Sequence, residues 1–242
     1  MITKLQNIRN KINYSADQSF DNDFLEGVRR RRINYIKAAQ ENDFKDGLEN
    51  LLTRLYPDNA HFVYELLQNA EDADATKVYF CLQEDCLYFL HNGSKEFSVK
   101  DVDSITSISK SQKLEDVNKI GKFGVGFKSV FSYTSTPSVH SSKISFLIKD
   151  MLLPSKLIAE EVPDQYTTLF IFPFNCPDKP KKQAYEEVLR LFKKLSNNTL
   201  LFLSGIKEIN WAFDEQNSNS IKRKNRGDYI EICSNIENVI AI

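Results

Sequence analysis

The chain has 242 residues, with 32 Lys and Arg against 33 Asp and Glu and a formal net charge of −1. Hydrophobic residues make up 41% and charged residues 27%, ordinary values for a globular chain with a sizeable core. The near-zero charge argues against holding nucleic acid by bulk electrostatics and leaves only a local patch open for it. No apolar run approaches the ~20 residues that span a bilayer, so no membrane partner is expected. Met1–Asn10 lacks the apolar stretch of a secretory signal. Cys81, Cys86, Cys176 and Cys233 form no CxxC pair, and three His provide no zinc spacing. The expectation is a cytoplasmic protein with reduced thiols.

Residues 1–22 are polar and weakly patterned and read as an arm or a short helix. Residues 23–56 read as helical from Leu25, Val28, Ile33, Ile36, Phe44, Leu48, Leu51, Leu52 and Leu55. Pro57-Asp58-Asn59 breaks that pattern and precedes a helix at about 60–73. Lys77–Gln83 and Cys86–Leu90 read as strands joined by a tight Glu84-Asp85 turn. Ser98 through Asp101 fits a capping box. Residues 104–119, rich in Ser and Lys, read as a long irregular segment. A short helix is expected at Phe127–Tyr133, strands at about 143–149, 168–174 and 206–213, and a helix at about 180–196. Tyr229–Ile242 reads as a further strand or two that stops without a terminator, as in the front piece of a longer protein. The division expected is an N-terminal helical segment (1–56), a main domain (57–215) and C-terminal strands (216–242). Helices followed by mostly hairpin-connected strands suggest an α+β two-layer sandwich rather than βαβ units.

Four stretches could carry chemistry. On a helix, Glu65, Asn69 and Asp72 are four and three residues apart and share one face, beside the apolar Leu66, Ala70 and Ala73. Two carboxylates and an amide oxygen suit a hard cation such as Mg²⁺, although this stretch alone reads first as a solvated helix face. The chain has only eight Gly, and Gly121, Gly124 and Gly126 lie within six residues. Gly121-Lys-Phe-Gly-Val-Gly-Phe-Lys128 satisfies neither the Walker A loop nor the dinucleotide fingerprint. Gly-rich backbone running into a helix start still offers N–H groups to an anion, and a flexible turn is the alternative. His91-Asn92-Gly93 ends a strand, where Asn-Gly alone implies a turn. Thr167-Thr168 opens an apolar strand. Arg29–Arg32 is a basic run whose four residues spread around a helix axis and so read as solvated surface.

The order of these stretches resembles the ATP-binding domain of the GHKL superfamily, the Bergerat fold of gyrase B, ninety-kilodalton heat-shock chaperones, histidine kinases and MutL. Within it the chain looks most like the sacsin and NO VEIN type, through "ELLQNAEDA", "FSVKDVDSI", "KIGKFGVGFKSVF", "TLFIFPF" and "LLFLSGIKEI". The resemblance covers about residues 55–212 and implies a mixed, mostly antiparallel sheet with helices packed on one face. It implies ATP and Mg²⁺ as cofactors, with Glu65 as the general base and Asn69 as the protein ligand to Mg²⁺. Asp72, Ala73, His91, Asn92 and Gly93 would line the nucleotide. Gly121, Lys122, Phe123, Gly124, Val125, Gly126 and Phe127 would present amides to the phosphates, with Lys122 or Lys128 adding charge. Ser111 and Lys113 would belong to a lid over residues 104–120, and Thr168 would help to read the adenine. The superfamily has an Asp where this chain has His91, so a neutral imidazole nitrogen would have to accept from the adenine amino group.

The resemblance thus implies a Mg²⁺-dependent ATPase whose lid closure regulates a larger chaperone-like or defence-related machine. A nucleotide-gated interaction switch without hydrolysis is the second reading. A histidine-kinase catalytic domain fits less well. ATP and ADP are the expected small partners. Homodimer contacts through residues 1–56 and contacts with downstream domains or other proteins are the expected larger ones.

Overall fold

The computed structural model describes residues 1–15, 17–42, 61–107, 126–236 and 240–241. Five α-helices are described: α1 (Ile2–Asn10), α2 (Asp23–Glu41), α3 (His61–Asp72), α4 (Val99–Ile105) and α5 (Lys181–Phe192). Two 3-10 helices, Gly126–Ser132 and Asn197–Phe202, join them. The strands are β1 (Lys77–Gln83), β2 (Cys86–His91), β3 (Ser138–Ser141), β4 (Ser145–Lys149) and β5 (Leu153–Lys156). They continue with β6 (Thr168–Pro173), β7 (Glu208–Ala212), β8 (Ser218–Asn225), β9 (Ile230–Ser234) and β10 (Ile240–Ala241). All ten form one sheet in the order β10-β9-β8-β7-β1-β2-β6-β3-β4-β5. The pair β1–β7 is parallel and every other pairing is antiparallel, so the chain is α+β with a mixed sheet.

Local chemistry explains several boundaries. The Ser98 hydroxyl accepts from Asp101 N at the start of α4, and the Asp101 carboxylate accepts from Ser98 N at 2.8 Å, which closes the expected capping box. Asn22 caps α2 by accepting from Leu25 N at 3.1 Å. The β1–β2 hairpin runs in register from Val78–His91 to Gln83–Cys86 about the expected Glu84-Asp85 turn. Two strands escape the sequence pattern. Three of the four residues of β3 are polar, and β5 follows a turn in which Asp150 and Met151 adopt φ of 45° and 60° without any Gly to announce it.

The sheet buries both faces. On one, Val78, Phe80, Phe89, Phe170 and Phe172 meet Leu66 and Ala70 of α3, Val102 of α4 and Val188 and Phe192 of α5. Ring centroids 4.6–6.1 Å apart link Phe80, Phe89, Phe170 and Phe172, and each such ring removes about 150–250 Å² from water. On the other face α1 inserts Ile2, Leu5 and Ile8 against Cys81, Cys86, Tyr88, Leu90, Leu169 and Ile171. Helices on one face alone were expected, and α1 corrects that. Ile2, Leu5 and Ile8 recur at helical spacing, but three apolar residues in a polar arm are too weak a period to claim a sheet face.

The basic run also differs from expectation. Arg30 and Arg31 are exposed, whereas Arg29 and Arg32 are buried. Arg32 donates to the carbonyl and carboxylate of Asp103 at 2.9 and 2.8 Å, and Arg29 pairs with Asp17. Two of the four charges are therefore internal ties between α2 and its neighbours. The four cysteines are free thiols, and burial pushes Cys81 up to about 11 and Cys86 up to about 12. No helix among the described residues is long and apolar enough to cross a membrane.

Candidate functional site

The site is built around the C-terminal half of α3. Phe62, Val63, Leu66, Leu67 and Ala70 are buried at helical spacing and fix the helix's rotation on the sheet. That rotation leaves Glu65 and Asp72 half-buried and Asn69 8% exposed along a neighbouring stripe. The helix ends in a Schellman motif: Ala75 N donates to Ala70 O and Asp74 N to Glu71 O, with Asp74 at φ 57°. Glu71, which carried no signal in the sequence, accepts from the Ser204 hydroxyl at 2.8 Å and from the amides of Ser204 and Gly205. It thereby ties α3 to the approach to β7.

The His91-Asn92-Gly93 loop is packed directly on that helix end. A Cβ added at Gly93 would stand 2.6 Å from Ala73 O and 2.8 Å from Ala73 Cβ, so no other residue fits without backbone movement. Lys95 N donates to Ala73 O at 3.2 Å, and Lys95 Nζ reaches the Asp74 carboxylate at 2.8 Å. Thr167 closes the far side, its hydroxyl donating to Gly93 O at 2.7 Å and its amide to His91 O at 2.9 Å. Neither Thr167 nor Lys95 was assigned a site role from sequence, because their partners are 74 and 21 residues away.

Asn92 has a different job from the one the resemblance implied. Its side-chain oxygen accepts from Thr76 N and Lys77 N at 2.9 and 2.8 Å, and its amide donates to Thr76 Oγ1 at 3.0 Å. Three of the side chain's four hydrogen-bonding sites thus hold the start of β1, a tie that the resemblance did not imply. Lys128 is corrected likewise. It is 1% exposed, and its ammonium donates to Ile105 O at 2.9 Å and to Met151 O. Burial, with Arg32 nearby, lowers its pKa to about 7. A cation so enclosed is a brace between α4 and the β4–β5 turn, not a free charge for phosphate.

His91, Thr168 and Ser141 lie opposite one another across β2, β6 and β3, on the face toward α3, where the aromatic core ends. His91 is 4% exposed, and burial pulls its pKa down to about 4, so the ring is neutral at pH 7. Its Nδ1 accepts from Gly93 N at 3.1 Å. Thr168 is also buried.

The Gly-rich run joins the site at its last member. Gly126 begins its 3-10 helix against the Glu65 carboxylate, where a Cβ would overlap Oε2. Phe127 anchors the segment in the core, 6.1 Å from Phe170 and 6.2 Å from Phe172 between ring centroids. Its side chain packs in the core, and Ser129 fastens the turn by donating to Gly126 O at 2.6 Å. Gly121, Lys122, Phe123, Gly124, Val125, Ser111 and Lys113 lie outside the described residues. The structure therefore brings together Glu65, Asn69 and Ala73 with His91, Gly93, Thr168 and Gly126. Among the described residues there is no cluster of three or more His, Cys, Asp or Glu fit for a metal ion.

Residues 82–164 match the family described as the Sacsin domain. That stretch contains His91, Asn92, Gly93 and Gly126 and leaves out Glu65, Asn69 and Thr168. The chain is 35% identical over 114 residues to "Sacsin" of Homo sapiens, an alignment that takes in 40% of this chain and 2% of that protein. It is 33% identical over 104 residues to "Protein NO VEIN" of Arabidopsis thaliana, covering 41% of this chain and 4% of that protein. The chain thus spans a small fraction of the length of either relative.

Proposed function

We propose that this chain is a Bergerat-type, GHKL ATPase module that binds Mg²⁺-ATP and hydrolyses it, serving a larger protein. The observation that carries the reading is the seat of Glu65. Its carboxylate lies against the backbone of Gly126, where the Gly-rich run meets the helix that carries Asn69. The likeness to sacsin and NO VEIN is consistent with it.

In this reading Glu65 takes the proton of an attacking water, a role worth about 10²–10⁴ in rate. The Asn69 side chain is 8% exposed one helical turn from Glu65, and in this reading its oxygen holds Mg²⁺. When bound, the ion offsets charge on the triphosphate. The packing of Gly93 on Ala73 fixes the loop beside the helix end, and His91 and Thr168 close the base side of the cleft. The amides of Gly121–Phe127 receive the phosphates.

Glu65→Gln tests this directly. It should keep ATP affinity within a few-fold by calorimetry while phosphate release falls at least 100-fold. Normal turnover in that variant refutes the base assignment. The second reading, a nucleotide-gated interaction switch, draws on His91 standing where the superfamily has a carboxylate. Phosphate release absent from both this chain and any longer form, with ATP binding intact, would select the switch.

A further inference from the structure

The imidazole of His91 has two nitrogens, and the fold has already committed one of them. Nδ1 accepts the Gly93 amide at 3.1 Å, and the ring contacts Phe89 and Phe170 with centroids 6.0 and 6.1 Å away. Gly93 is seated so closely between Ala73 and the His91 ring that a Cβ there would stand 2.9 Å from Nδ1. A neutral imidazole that accepts at one nitrogen carries its proton on the other. Burial keeps the ring neutral, its pKa lowered to about 4. The nitrogen left over is therefore an Nε2–H donor, on a side chain 4% exposed. A ligand placed against this edge of the ring meets a donor and is favoured where it supplies an acceptor.

We infer that His91 reads the base of a bound purine nucleotide as a hydrogen-bond donor, pairing with an acceptor nitrogen of the ring and not with the exocyclic amine. This rests on the proposed nucleotide site and reverses the part that the sequence assigned to His91, since an acceptor would need the amine that a donor ignores. A site that hydrogen-bonds a ligand group discriminates strongly against analogues lacking it and is indifferent to groups it does not touch. The ligand class is thus defined by the purine ring acceptor rather than by its 6-amino group. Thr168, opposite His91 on β6, adds a hydroxyl that can turn to suit either partner.

The experiment is isothermal titration of the chain with ATP and with purine riboside 5′-triphosphate, which lacks the 6-amino group, both with Mg²⁺. The two should bind within threefold of each other. His91→Phe, which keeps an aromatic ring among Phe89 and Phe170 but removes the donor, should weaken both by tenfold or more. A loss above tenfold for the amine-free analogue on the unaltered protein overturns the inference while leaving the nucleotide site standing. Unchanged affinity in a folded His91→Phe variant also overturns it. Failure of ATP itself to bind sinks the site, a result that the paired titrations separate from failure of the donor. Because the comparison on the unaltered chain uses no variant, it decides the matter even where the substitution disturbs folding.

Discussion

On the face toward α3, the aromatic layer of Phe80, Phe89 and Phe170 gives way at one end to His91, Thr168 and Ser141. Under α1, by contrast, β1, β2 and β6 present Cys81, Tyr88, Leu90, Leu169 and Ile171, and the charges stay at the border. There Arg9 grips the Asp85 carboxylate through two bonds of 2.7 and 2.8 Å, and Ser138 meets His140 at 3.2 Å. Tyr88 Oη and His140 Nδ1 are nevertheless buried there without a hydrogen-bond partner among the described residues. On the α3 face the His91 ring gives its Nδ1 to the fold, accepting from Gly93 N at 3.1 Å. One face is closed by a helix, whereas the other ends in the polar residues that the proposed site uses.

Substitutions should separate the two faces. The largest loss of stability is expected from Leu5→Ala, which empties a fully buried position beneath α1 at a cost of about 3 kcal/mol. Chemical denaturation measures it, and nucleotide affinity at 25 °C should not change; a lost affinity would mean the faces are coupled. On the other face, Gly93→Ala forces a methyl into Ala73 and should cost about 2–3 kcal/mol, with weakened nucleotide binding as well.

Acid offers a test of both faces at once. Burial lowers the pKa of His91 and of His140 to about 4, with Glu160 opposing the shift at His140. The unfolded chain, with His near 6.5, binds more protons between those values, so stability falls as pH drops from 6.5 toward 4. Each histidine should cost about 2 kcal/mol between pH 7 and pH 5. Denaturation midpoints at the two pH values, for the unaltered chain and for His140→Leu, apportion the loss. A variant with the same pH slope as the parent would remove His140 from the account.

The smaller effects are equally diagnostic. Gly126→Ala meets the movable end of the Glu65 side chain rather than backbone. It should cost under about 1 kcal/mol in stability yet lower turnover by displacing the carboxylate. Asp85→Asn should cost about 1 kcal/mol or less, because Asp85 and Arg9 are partly exposed and water screens the pair. A larger loss would show that the fork organises the α1 face instead of only bordering it.

What could be read from the chain follows the range of the interactions. The β1–β2 hairpin, the Ser98–Asp101 box, α3 and its Glu65–Asn69–Asp72 stripe, and the strand opening at Thr168 depend on residues a few positions apart. Their periods and turn residues therefore announce them. The site was legible as an ordered set of candidates because its members sit at the ends of these regular elements. Its internal assignments were not. Asn92 and Lys128 looked like ligand contacts, and only partners 16 and 23 residues away turned them into braces.

By itself the sequence determined the element types and the order of the candidate motifs, since propensity, capping and alternation act between near neighbours. Tertiary structure decided that α1 covers the second face, that Arg29 and Arg32 are buried, and that β3 and β5 extend the sheet. It also decided which nitrogen of His91 remains to be used. Each of these depends on which distant backbone group or side chain arrives alongside, and a local pattern carries no record of that encounter.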